Sequence, residues 1–293
     1  MRQQTAVVHK AIDRDSVFKD TADRLDSPFW LDGPSVVMSI RILSITVALC
    51  VTSIAYAQPD PRWAEMHKSG DFHCRSEFGL SSREKLYQEL NALKRDVEST
   101  LAIDANGVIQ INFFRNRRSY MQFVGLRHPE GMQRRALFVK GPDAGRVYVY
   151  RQLSIETDVR HECTHAVIHN ALPYLPLWLD EGLAEYFEVP ARERTSSNPH
   201  LGRLKLYARF GWKPSLKKLE ERDSLSNIKS ADYRESWAWV HFMLHGPKSA
   251  RAVLVRYIDD IQKQAAPGKF SERMYEAIPA ADAMLVQHIK AWK

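Results

Sequence analysis

Residues 161–187 read HECTHAVIHNALPYLPLWLDEGLAEYF, and the way this stretch folds decides what the rest of the chain must do. Two histidines, His161 and His165, stand four positions apart with Glu162 between them. A second apolar segment, after Pro176, carries Glu181 and Glu185 at the same spacing. Ser154 or Thr157 can cap a helix that runs to about Ala171, where Pro173 stops it. On that helix Ile155, Val159, Cys163, Ala166, Val167 and Asn170 make one mostly apolar stripe, while Asp158, His161, Glu162, His165 and His169 gather on the other face. Residues four apart on a helix are separated by about 6 Å along the axis and about 40° around it, so both imidazoles can reach one metal ion. Glu162 lies beside them, where its carboxylate can touch a metal-bound water without being a ligand.

A catalytic zinc takes three protein ligands and leaves the fourth position to water. The second helix offers the third ligand, Glu181, once the NALPYLP segment has reversed the chain. Glu185, one turn further on, can accept a hydrogen bond from a ligand histidine, and Asp158 is the other acid read as supporting the ligands. His169 lies a further turn along its helix and reads as an outer partner or a surface histidine rather than a ligand. Leu179, Leu183, Tyr186 and Phe187 pack the second helix against its neighbours.

HECTH together with LWLDEGLAEYF resembles the gluzincin metallopeptidases, such as thermolysin and the aminopeptidase N family, and most closely the peptidase MA-like domains. The resemblance covers roughly residues 135–260 and is specific only at these two segments. It implies a zincin-like fold, one Zn2+ per chain held by His161, His165 and Glu181, Glu162 as catalytic base, and a peptide or protein as substrate. It extends to DYRESWAWVHFML at 232–244, where the family's pattern makes Tyr233 the group that stabilises the oxyanion. If Tyr233 is instead a packing residue, His241, His245 and Tyr207 are the other donors. No GxMEN-type segment precedes His161, so nothing marks an aminopeptidase. Two rival classes stay open: a zinc-dependent amidase acting on a non-protein substrate such as a cell-wall peptide, and a binding module whose zinc is structural. Glu162 speaks against the second, since a structural site has no use for a base beside an open coordination position.

Upstream of the motif the chain reads as α+β, with a small mixed or antiparallel sheet lobe followed by a mostly helical lobe and the zinc site between them. Leu86, Leu90, Leu93 and Val97 recur at helical spacing within residues 81–101, behind a serine cap. GVIQINFFRN, RALFVKG and RVYVYRQ follow, rich in β-branched and aromatic residues and bounded by turn residues. They predict strands of one sheet, the last two a hairpin. RVYVYRQ, just ahead of the metal helix, is placed to offer a backbone edge to an extended peptide. Beyond Gln152 the pattern is helical, which sets a division between residues 58–152 and 153–293.

At the N-terminus, Arg41, the apolar run Ile42–Ala55 and the small residues Ala55 and Ala57 before Gln58 have the layout of a signal peptide over residues 38–57. Residues 1–37 then read as an untranslated or leader segment, and the protein as exported, to a periplasm or beyond. The net charge is +7, and it is unchanged by removal of residues 1–57, whose six basic and six acidic side chains cancel. Such a protein is drawn to anionic cell-envelope surfaces. No nucleic-acid motif accompanies the charge, and clusters such as Arg115, Arg117 and Arg118 read as solvated surface. Cys74 and Cys163 could pair in an oxidising compartment, or Cys163 could be a small core residue. A composition of 44% hydrophobic and 26% charged residues, without repeats, excludes a disordered or solenoid chain.

Overall fold

The computed structural model describes residues 6–8, 62–80 and 83–293. The expected signal peptide and nearly all of the expected leader lie outside the described residues. Five strands form a mixed sheet: β2 (Glu65–Ser69), β3 (Phe72–Ser76), β4 (Ile109–Phe114), β5 (Ala136–Lys140) and β6 (Gly145–Tyr150). A short strand, β1 (Ala6–Val8), runs parallel to β5. The order across the sheet is β1-β5-β6-β4-β3-β2. Helix α1 (Arg83–Leu101) connects β3 to its parallel neighbour β4, and α2 (Arg117–Gly125) lies between β4 and β5. After β6 the chain is helical: α3 (Ile155–Ala171), α4 (Leu177–Phe187), α5 (Pro199–Arg209), α6 (Leu216–Glu220), α7 (Ser230–His245), α8 (Lys248–Gln262), α9 (Phe270–Ala277) and α10 (Ala281–Ala291). The architecture is therefore α+β, a mixed sheet followed by a mostly helical region.

Strict alternation sorts the strand side chains between two cores. Ile109, Ile111, Phe113, Ala136, Phe138, Val147 and Val149 join the main core with α1 and α3, which continues into the helices as far as Ile289. Their neighbours Phe114, Leu137, Val139, Tyr148 and Tyr150 point the other way, into an aromatic cluster closed by Tyr120, Phe123 and Val124 of α2. The registers that place Phe138 opposite Val147 and Ile111 opposite Val147 follow, because slipping by one residue would exchange the two sets. A single core thus crosses the step at residue 152.

Three differences from the sequence reading have physical causes. The RVYVYRQ segment is not an edge: β6 is hydrogen-bonded to β5 on one side and β4 on the other, so its backbone has no free row to offer a peptide. Its apolar run at residues 147–150, buried on both faces, is that of an interior strand. The hairpin β2–β3 was not foreseen, because β2, EMHKS, is polar and mostly exposed, and its turn rests on Gly70 at φ 56°. Helix α2 was hidden inside the cluster of arginines. Asn116 caps it, accepting from the Ser119 N–H at 3.0 Å, and it buries Tyr120, Phe123 and Val124.

The motif helix α3 also differs from a two-faced surface helix, since every residue from Asp158 to His169 is buried. The sheet and α1 cover its apolar stripe, and α4 covers the histidines. Helix α4 in turn packs closely on α7, and Gly182 is what allows it: a Cβ there would sit 2.6 Å from the backbone oxygen of Ser236. Cys74 and Cys163 are both buried free thiols, with Cys74 pushed by burial up to about 11.

Candidate metal centre

His161 and His165 project from consecutive turns of α3, with ring centroids 4.9 Å apart, toward Glu181 on the first turns of α4. One ligand atom from each of these three residues lies within 4.8 Å of the others, and all three side chains are buried. Glu181 Oε2 stands 3.4 Å from His161 Nε2 and 3.7 Å from His165 Nε2. None of these nitrogens, and neither oxygen of Glu181, makes a hydrogen bond. Glu162, fully buried beside them, likewise has both carboxylate oxygens without a hydrogen-bond partner. Buried polar atoms are almost always paired, because each unpaired one costs about 1–3 kcal/mol. Such a convergence of vacant donor atoms is a place where a metal ion could be held.

The opposite edges of the rings are held. His161 Nδ1 lies 3.0 Å from Glu188 Oε2, so a proton on Nδ1 leaves the Nε2 lone pair facing inward. Arg160 brings Glu188 into place by donating from Nε to its backbone oxygen at 2.6 Å. Asp180 serves two histidines at once, with His165 Nδ1 3.0 Å from Oδ1 and His169 Nε2 3.0 Å from Oδ2. Phe138 of β5 lies nearly parallel to the rings of His165 and His169 and seats them on the sheet. Two further sets of possible ligands occur among the described residues, His165, His169 and Asp180, and His161, Glu185 and Glu188. Each of these two sets contains one hydrogen bond between its own members, His169 Nε2 with Asp180 Oδ2 and His161 Nδ1 with Glu188 Oε2.

The supporting residues expected from sequence are placed differently. Glu185 Oε2 is 2.6 Å from His200 Nε2 on α5, and it is Glu188 whose carboxylate meets His161 Nδ1. Asp158 lies at the start of α3, accepting from Arg135, Gln152 and Ser154, where it ties that helix to the segment before β5 rather than to a ligand. His169, read as an outer partner or a surface residue, is buried on Asp180. Asp180 and Glu188 flank the acids that the motif highlights, and their helical phase was the available signal for them.

Tyr233, in the first turn of α7, is buried and hydrogen-bonded to Arg134. Burial raises its phenol, as does the charge of Glu181. Arg134 precedes β5 in the chain and also acts electrostatically on Glu162. No local pattern in the sequence announces it. The alternative donors are engaged elsewhere: His241 with Thr195 and His288, His245 with Tyr186, while Tyr207 lies on the surface of α5.

Electrostatics of the cluster follow from its carboxylates. Burial opposes charge on His161, but Glu181, Glu188 and Glu162 outweigh it and hold the imidazole well above its usual range. Glu162 is raised well above the usual carboxylate range, by burial first and then by Glu181 and Asp158, against the pull of His161 and Arg134. Asp180 is lowered, since the charges and hydrogen bonds of His165 and His169 overcome its burial. The pocket is thus negative in character and takes up positive charge. No family model and no curated protein matches this chain.

Proposed function

We propose that the protein is a zinc-dependent hydrolase of the gluzincin kind that cleaves peptide bonds. The reading is carried by one observation: the unpaired Nε2 atoms of His161 and His165 and the unpaired carboxylate of Glu181 converge beside a buried, unpaired Glu162. Two imidazoles and one carboxylate suit zinc, and leave a coordination position for water. Bound there, zinc would acidify a water and polarise a carbonyl oxygen.

The chain's own residues supply the remaining steps. Glu162, with a raised proton affinity, takes the proton of the attacking water and delivers it to the leaving amine, which needs a base and then an acid at one site. Tyr233, preorganised by Arg134, donates to the oxygen on which negative charge develops, and Arg134 adds a positive field. Glu188 and Asp180 keep the two imidazoles in the tautomer and orientation that ligation requires. The substrate is a peptide or protein, and the signal-peptide pattern at 38–57 makes it one met outside the cytoplasm.

The test joins metal analysis of the purified chain to digestion of an unbiased peptide library. About one zinc per chain and cleavage of a defined peptide subset are expected. Glu162→Gln should retain the zinc and lose hydrolysis by about a hundredfold or more. Zinc binding with undiminished activity in that variant would defeat the mechanism, and absence of zinc would defeat the site.

A further inference from the structure

Helix α5 presents two unlike faces. Leu201, Leu204 and Ala208 are buried in the core, as the helical period requires. On the other side Arg203, Leu206, Tyr207 and Phe210 follow at spacings of three and four, so they form one stripe that faces away from the core. Phe210 is 83% exposed, Leu206 50% and Tyr207 38%. Three large apolar side chains held together in water on one turn and a half of helix are unusual for a surface that touches nothing.

The charge around the stripe is of one sign. Between Glu193 and Glu220 the sequence contains seven Lys and Arg residues and not one Asp or Glu. Arg203, Arg209, Lys213, Lys217 and Lys218 are exposed, and among the described residues none of them forms an ion pair. Two nearby acids are turned inward, Glu235 accepting from the Ser215 N–H at 2.8 Å and Glu220 from the Phe270 N–H at 2.6 Å, while Glu221 is exposed just beyond Lys217 and Lys218. The face is therefore basic and apolar together, with five exposed cations against one bordering exposed acid, Glu221.

We propose that this face docks on an anionic lipid surface, with Leu206, Tyr207 and Phe210 entering the headgroup layer and the cations pairing with lipid phosphates. Exposed aromatic and aliphatic side chains bordered by Lys and Arg are what such a surface selects, since the interface buries the apolar groups while the anionic lipids attract the charges. Each cation that reaches the headgroups strengthens binding by about fivefold. A soluble polyanion would use the same cations but would leave Phe210 and Leu206 in water, so the apolar residues separate the two. Helix α5 also touches the metal centre's surroundings through His200 on Glu185, and Tyr207 lies under Arg234, the neighbour of Tyr233. The docking does not depend on any catalytic reading.

Sedimentation of the full chain with vesicles tests the proposal, using phosphatidylcholine alone and phosphatidylcholine with about a quarter phosphatidylglycerol. Binding to the anionic vesicles is expected, with at least a tenfold loss in Arg203→Gln/Arg209→Gln/Lys213→Gln and a severalfold loss in Leu206→Ser/Phe210→Ser. These positions are exposed, so thermal melts of the variants should match the parent. Phe210→Trp provides a second measurement that removes no contact, and its added fluorescence should be quenched by brominated lipid. No binding to anionic vesicles, or binding unaffected by the charge variant, would overturn the proposal. So would apolar-variant binding equal to the parent's together with full competition by dextran sulfate, which would identify a general polyanion site.

Discussion

Two clusters of histidine lie in the helical region, one fully buried and one partly, and they behave in opposite ways. On α3 and α4, His161, His165 and His169 are interleaved with Glu181, Glu188 and Asp180, and His161 is held well above the usual histidine range. On α7 and α10, His241, His245 and His288 are packed with Trp292 and with one another, His241 Nδ1 lying 2.9 Å from His288 Nε2. Burial pushes His241 down to about 3 and His288 to about 4, and His245 is lowered as well. Only the first cluster has nitrogens left without partners beside a carboxylate. The second satisfies itself, for His241 Nε2 is bonded to the Thr195 oxygen and His245 Nε2 to the Tyr186 hydroxyl. Burial alone makes a histidine neutral and structural; burial next to unpaired carboxylates makes it a cation trap.

The largest effect that this contrast predicts is on metal content. His161→Ala or His165→Ala should take the protein from about one ion per chain to nearly none, while His245→Ala leaves the content unchanged. Elemental analysis of the dialysed variants decides it, and equal metal in all of them would abolish the distinction between the clusters.

Tyr233→Phe comes next. Loss of the hydroxyl should lower kcat and kcat/KM together by about a hundredfold with KM and zinc content nearly constant, since the donor acts only on developing charge. Activity within a few-fold of the parent would make Tyr233 a packing residue. Smaller still are the supports: Asp180→Asn and Glu188→Gln should each weaken metal affinity by about 10–100-fold, measured by competition with a chelator. Glu185→Gln, whose partner is His200, should affect it less.

The smallest effect belongs to the second cluster and appears in the pH dependence of stability. Unfolded histidine takes up its proton near pH 6.5, whereas burial delays protonation of native His241 to about 3. As pH falls below 6.5 the unfolded chain therefore binds more protons, and stability falls. The slope is up to about 1.4 kcal/mol per pH unit for each such proton, levelling off near the native values. Denaturant melts between pH 7 and 4.5 should show this decline, and His241→Gln should flatten it. An unchanged slope in that variant would place the loss in other groups.

How much of the site could be read without coordinates depended on whether the information was local. His161, His165 and Glu162 share one helix, and helical geometry by itself brings them to one side. Glu181 was legible because a proline-bounded turn returns the chain at once. Glu185 is expected from its spacing to meet a ligand histidine, but its carboxylate meets His200, and it is Glu188, held by Arg160 on its backbone oxygen, that meets His161. Arg134 was out of reach altogether, because it meets Tyr233 across about a hundred residues of chain and belongs to no periodic pattern.

By itself, the sequence determined the elements whose cause lies within a few residues: the α1 period, the β5–β6 hairpin, the end of α3 before Pro173, and the spacing of the candidate metal-binding histidines. The tertiary structure decided the order of strands, which buried β6 and removed the edge expected of it. It also decided which acids hold which histidines, and that α7 carries Tyr233 up to Glu181. The physical reason is range. Dihedral preference and side-chain period act between neighbours in the chain, whereas strand order and the pairing of buried charges are settled by which surfaces exclude water together. Gly182 contributes to both levels: as a residue it is a weak helix former, and its place in α4 is explained only by the backbone of Ser236, 2.6 Å from where a Cβ would stand.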